Sequence, residues 1–210
     1  MQAGEVEAVH EVTTANVYKQ QLVPVEGQTD VLTMGLPYIC PYNVNSIMNP
    51  ILVMCLGLGY FFNLYRGKPL VREGGVLIMG HPTPWEFHPV HHPSYIDFFE
   101  QVLADTTDPA EIEKKWEKQF AEDEWYKHLY RTSYAYHGVH PFYMWYWGAH
   151  ALQHLGRVIV VGGDTAAVRR MGFQPASTLQ DALEMSTDVV GPQPTITHLK
   201  NPPILMADVT

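Results

Sequence analysis

The sequence predicts an α/β domain built as a three-layer sandwich around a mostly parallel sheet. Three observations carry that expectation. TDVLTM (29–34), GVLIMG (75–80) and RVIVVGG (157–163) are largely apolar runs rather than alternating ones, as expected of strands covered on both faces. Helical periodicities separate them, the pattern of a parallel sheet with crossover helices. The segments that follow them, 35–46, 81–93 and 162–165, are polar and aromatic, and in open parallel sheets ligands lie beyond the carboxyl ends of the strands.

The elements follow in order. Val6, Val9, Val12 and Val17 give residues 4–20 a helical pattern. Leu22 to Val25 and Thr29 to Met34 read as strands split at Glu26-Gly27. GLPYICPYNVNS is a turn-rich loop reaching a helix N-cap at Asn45 or Ser46, with Pro50 in the first turn. Ile51 to Phe62, ILVMCLGLGYFF, is apolar throughout but only twelve residues long. A bilayer span needs about twenty, so this is expected to be a buried helix. YRGKPLVREGG reads as a loop before the 75–80 strand. Helices are expected over Ser94–Leu103, over Asp108–Phe120 with Asp108 as N-cap and Pro109 at N1, and over Asp123–Arg131. This charged stretch, 94–133, reads as a helical insertion lying over the domain. A helix entered near Trp145 ends at Gly156, then comes the 157–163 strand. Residues 164–171 and 177–190 read as helices, the latter capped by Ser177 or Thr178. TITHL (195–199) is a last strand, and NPPILMADV an extended tail. The expected sheet is Rossmann-like, in a single domain over 1–210.

Composition narrows the function classes. A net charge of -9 with only 13 Lys and Arg does not suit a surface that tracks phosphates, so nucleic acid is not an expected partner. Neither is a membrane. Cys40 and Cys55 lack a CxxC spacing, and MQAGEVEAVHEV has no secretory pattern, so a reducing cytoplasm is expected. Eleven histidines, twelve tyrosines and five tryptophans are an excess of side chains that line pockets.

Those side chains cluster. HPTPWEFHPVHH (81–92) places His81, His88, His91 and His92 with Glu86 in one proline-stiffened loop. The residue types suit zinc, another divalent metal, a substrate-facing wall, or a structural polar loop. The spacing matches no compact metal motif. YHGVHPFYMWYW adds His137 and His140 among aromatics that serve either as core or as a planar pocket. Tyr65, Arg66 and Lys68 form the most basic loop. GGDTAAVRR lacks both common phosphate-loop patterns, and GxSxG is absent.

The order of TDVLTMG, PYNVNSIMNP, GGVLIMGHP, a tryptophan-bearing helix before GRVIVVGG, and MGFQPASTLQDALEMS resembles the carboxyl-terminal domain of the lactate racemase family. The resemblance covers nearly the whole chain except 94–133. It implies a two-domain enzyme with its site in the interdomain cleft. There an acid/base histidine removes a proton from a 2-hydroxy acid while a nickel-pincer nucleotide takes the hydride. The family's cofactor-bearing lysine, nickel-ligating histidine and acid/base histidines belong to an amino-terminal domain, expected to be absent here and supplied in cis or on another chain. Carried over residue by residue, the family's Tyr-Gln-x-x-Lys stretch matches Tyr42, Asn43 and Ser46, and its active-site tryptophan matches Trp147. Ser46 stands where the family has a cation for the lactate carboxylate, which points to a different 2-hydroxy acid. Arg66 or Lys68 is a candidate replacement charge.

The resulting expectation is a racemase or epimerase domain, silent alone, with His81, His88, His91, His92, His137 and His140 lining the cleft. One alternative is a self-contained metal-dependent hydrolase using His81, His88, His91 or His92 with His137 and His140. Another is a non-catalytic partner subunit.

Overall fold

Side chains on the central strands alternate strictly between two interiors. Leu32, Met34, Leu77, Met79, Val158 and Val160 join the larger core, while Val31, Val76, Ile78 and Ile159 join a smaller one. A strand buried on both faces needs apolar residues at every position, which is why the sequence runs are continuous. The three-layer α/β architecture is therefore present. In the computed structural model, which describes residues 1–200 and 206–210, the strands are β1 (Leu22–Val25), β2 (Thr29–Gly35), β3 (Tyr65–Arg66), β4 (Val71–Gly80), β5 (Arg157–Val161), β6 (Gln174–Ala176), β7 (Ile196–Leu199) and β8 (Met206–Val209). Five form a parallel sheet in the order β6-β5-β4-β2-β7, and three form a second parallel sheet, β1-β8-β3.

The chain steps outward from β2 through β4 and β5 to β6, then returns to place β7 on the other side of β2. That reversal is the sheet's switch point. The large core lies under the helices at 50–63 and 140–154, and the small core under the helix Leu179–Val190. Thr178 and Asp181 cap the latter reciprocally, as a capping box.

Several boundaries differ from expectation. The apolar helix is capped by Asn49, whose Oδ1 accepts from Leu52 N at 3.1 Å, not by Asn45 or Ser46. Val44 and Asn45 are left-handed, with φ of 53° and 52°, and so lie outside the helix. Residues 65–74 are not a loop throughout: they contain β3 and the first turn-side half of β4. The helix expected near Trp145 begins at His140, because Pro141 suits a first-turn position. β6 went unread, being only three residues long. Of the expected extended tail, 201–205 lie outside the described residues, and Met206–Val209 is the centre of the second sheet.

The segment 94–133 is helical, but it does more than lie over the domain. Tyr95, Phe98, Phe99, Val102, Ile112 and Phe120 are all at most 4% exposed and belong to the larger core. Phe142 from the 140–154 helix meets Phe98 at 4.7 Å and Phe120 at 4.9 Å between ring centres, both edge-on. The charges of this segment face outward and its aromatic stripe faces in. Sequence charge alone obscured the second half of that pattern.

Candidate functional site

A cavity of about 480 Å³ opens beside the start of the 140–154 helix, lined by Tyr42, His140, Tyr143, Met144, Tyr146 and Trp147. Two elements meet there. Tyr42 comes from the loop after β2, at the carboxyl edge of the sheet, and the helix supplies the rest.

The loop is stiff for a local reason. Asn43, 2% exposed, accepts from Cys40 N and donates to Tyr38 O and Ser46 O, so its whole amide is engaged. Ser46 donates its hydroxyl to Asn43 O. These bonds hold Val44 and Asn45 in left-handed geometry, which for β-branched Val44 is strained. The loop thereby presents Tyr42. Of the three residues matched here to a substrate-contacting stretch, only Tyr42 lines the cavity; Asn43 and Ser46 shape the loop.

Tyr42 Oη lies 3.0 Å from Tyr60 Oη, and Trp147 packs against both rings at 6.4 and 4.9 Å. Tyr60 is brought in by the apolar helix, which changes from α to a wider π turn over Cys55–Tyr60 and then tightens at Phe61–Asn63. Such turns displace side chains from the α register and recur at functional sites. Close approach of the two helices depends on Gly59: a Cβ there would lie 3.1 Å from that of Trp147.

His140 is the imidazole among the residues that line the cavity. The Tyr95 hydroxyl, on a fully buried side chain, meets its Nδ1. Burial pushes the Tyr95 phenol well above its ordinary value, so it stays protonated and donates. That leaves His140 with its proton on Nε2. Burial first, then His92 and His137, lower the His140 pKa to about 4. At neutral pH it is therefore a neutral hydrogen-bond donor, held in one tautomer by Tyr95. Tyr136 stacks on it at 4.2 Å.

The histidine loop divides into two classes. His92, fully buried, sits 2.9 Å from Tyr42 O through Nε2 and stacks on Tyr136, so it supports the cavity from behind. His81 accepts from Thr83 N at 2.9 Å and stabilises Thr83 at φ 43°. Burial lowers both pKa values to about 4. His88 and His91 stack at 4.2 Å; His88 accepts from Val90 N and His91 N, and His91 contacts Tyr134 O. His137 accepts from Val139 N. These are loop-shaping bonds. The alternative metal set of His81, His88, His91 and His92 is not assembled, and among the described residues no three His, Cys, Asp or Glu side chains converge as ligands.

Neither Arg66 nor Lys68 is among the residues that line the Tyr42 cavity. They follow the far end of the 50–63 helix, about 20 Å of helix away at 1.5 Å per residue. Arg66 pairs with Asp208 on β8 and lies over the Tyr18 ring at 5.1 Å. Tyr60 and Tyr95 were not legible as site residues, because neither stands in a motif.

The fold and cavity thus define a parallel α/β domain with a tyrosine–histidine site at the carboxyl edge of its sheet. Among solved structures it is similar to the lactate racemase apoprotein from Thermoanaerobacterium thermosaccharolyticum, with a TM-score of 0.55 and 16% identity over 97% of this chain and 41% of that one. At that identity the likeness establishes the fold, and this chain spans well under half the length of its structural neighbour. No protein-family model matches the sequence. No curated protein matches it either. No described helix is long and apolar enough to cross a membrane.

Proposed function

We propose that this chain is a lactate-racemase-like domain supplying one wall of a site for racemising or epimerising a 2-hydroxy acid, completed by a second domain in cis or on another chain. The observation that carries the reading is His140, which lines the Tyr42–Trp147 cavity and is held from behind by the buried Tyr95. A substrate hydroxyl accepts from His140 Nε2–H, while Tyr42 and Trp147 pack its carbon skeleton. The loop after β2 exposes apolar side chains, Tyr38 at 70%, Ile39 at 62% and Val44 at 50%, a surface for a second domain to cover.

The relation implies a nickel-pincer nucleotide. The cavity residues do not fit as its holders: among the described residues no lysine, arginine or carboxylate lines the cavity, and no three ligand side chains converge. Attachment of that cofactor is assigned to the second domain, and so is charge pairing with the substrate carboxylate. The role of this chain is to bind and orient.

Two assays test the reading together. Equilibrium dialysis with a 2-hydroxy acid is expected to show binding that weakens about tenfold in His140→Ala, the loss of one buried hydrogen bond. Chiral chromatography of the same incubation is expected to show no inversion. Inversion by the purified chain alone would end the shared-site reading, and unchanged binding in the variant would remove His140 from the site.

A further inference from the structure

On the opposite face of the sheet, a cavity of about 200 Å³ lies over the carboxyl ends of β2, β4 and β5. It is separate from the tyrosine–histidine site in every lining residue. Its position is the switch point, where β7 returns beside β2, the place at which doubly wound sheets take ligands.

The floor is bare backbone. β2 ends at Gly35 and β4 at Gly80, and both line the cavity. A Cβ at Gly35 would meet nothing within 4 Å, and one at Gly80 only Met34 O at 3.9 Å. Neither glycine has positive φ, so backbone conformation does not require them. Side chains would fit sterically and would fill the space. The walls are apolar: Ile78, Val161 and Leu179. One rim is polar, where Thr33 Oγ1 lies 2.7 Å from His198 Nδ1. Among the described residues no Lys, Arg, Asp or Glu lines the cavity. The adjacent helix start at Leu179 has its amide at Asp181 satisfied by Thr178 and carries the Asp181 carboxylate in its first turn. It therefore offers little to an anion.

We infer that this cavity binds a neutral, planar nitrogen heteroaromatic ring of nucleobase size, laid on the Gly35 and Gly80 peptides with one edge at the Thr33–His198 pair. The volume decides the size class: a dry cavity of about 150 Å³ accepts benzene, so this one takes one or two fused rings. The apolar walls exclude sugars and small acids. The hydrogen-bonding rim distinguishes a heteroaromatic edge from a plain hydrocarbon. The ring would come either as a free base or nucleoside, or as the base of a nucleotide.

Isothermal titration of the full chain with adenosine and with AMP tests this. Adenosine is expected to bind, and AMP to match it within about threefold, because no cation is among the described residues that line the cavity. Gly80→Val is expected to weaken adenosine at least about tenfold by occupying the floor, with Tm unchanged, and His198→Ala about tenfold by removing the rim partner. Should Gly80→Val fail to fold, His198→Ala decides alone, since that side chain is exposed. No adenosine binding, adenosine binding indifferent to both variants, or binding that requires the phosphate would each overturn the inference. None of these outcomes depends on the hydroxy-acid reading of the other cavity.

Discussion

Lowering the pH from 6.5 to 4 should remove several kcal/mol of folding stability. His81, His92 and His140 are each held neutral by burial, with pKa values lowered to about 4 from an ordinary 6.5. Between those values the unfolded chain binds more protons than the folded one, so stability rises with pH across the window. The contribution is fully present above 6.5 and is lost as pH falls towards 4. Each histidine contributes a slope of about 1.4 kcal/mol per pH unit, and the three together about 4. Set against a typical total of about 5–15 kcal/mol, that is enough to unfold the domain in mild acid. Urea unfolding measured at pH 7, 6 and 5 gives the slope directly. His92→Gln keeps a donor for Tyr42 O but cannot titrate, and should flatten it by about one third. A stability independent of pH down to 4.5, or a slope untouched in His92→Gln, would contradict the buried-neutral assignment.

Phe142→Ala should cost about 3–5 kcal/mol, the usual range for deleting a buried phenylalanine. Phe142 is fully buried between Phe98 and Phe120, so its removal empties the seam joining the 94–133 helices to the 140–154 helix. If those helices merely lay over a self-sufficient domain, the loss would be small and they would melt separately. Chemical denaturation followed by both far-ultraviolet circular dichroism and tryptophan fluorescence distinguishes the two. One shared transition with a large shift in midpoint is the expected result.

The large architecture was legible because both-face burial keeps the central stretches of β4 and β5, Val76–Met79 and Val158–Val160, apolar at every position, with only Thr33 interrupting Val31–Met34 of β2, and that signal is local. Caps were legible where proline and aspartate act together, as at Asp108-Pro109, whose cap bonds are present. β3 and β8 escaped because a two-residue strand and a strand in the tail owe their existence to each other and to β1, which is pairing at long range. The site was half visible. The density of histidine and aromatic residues pointed to segments that include cavity-lining residues, but spacing did not reveal that His88 and His91 bond within their loop while His140 lines the cavity. Tyr95 and Tyr60 depend on helix packing across the core and on a π turn, neither of which a single sequence displays. Arg66 looked free because its partner, Asp208, lies 142 residues away.

The most direct test of the proposed role is an NMR titration of the chain with a 2-hydroxy acid and with the same acid lacking its hydroxyl. The His140 ring and Trp147 indole resonances are followed. Both are expected to shift with the hydroxy acid, and Trp147 alone with the deoxy acid, since in the proposed pose the hydroxyl is the group that meets His140 Nε2. Equal responses to the two acids, or shifts confined to residues away from Tyr42, His140 and Trp147, would show that this cavity is not the hydroxy-acid site.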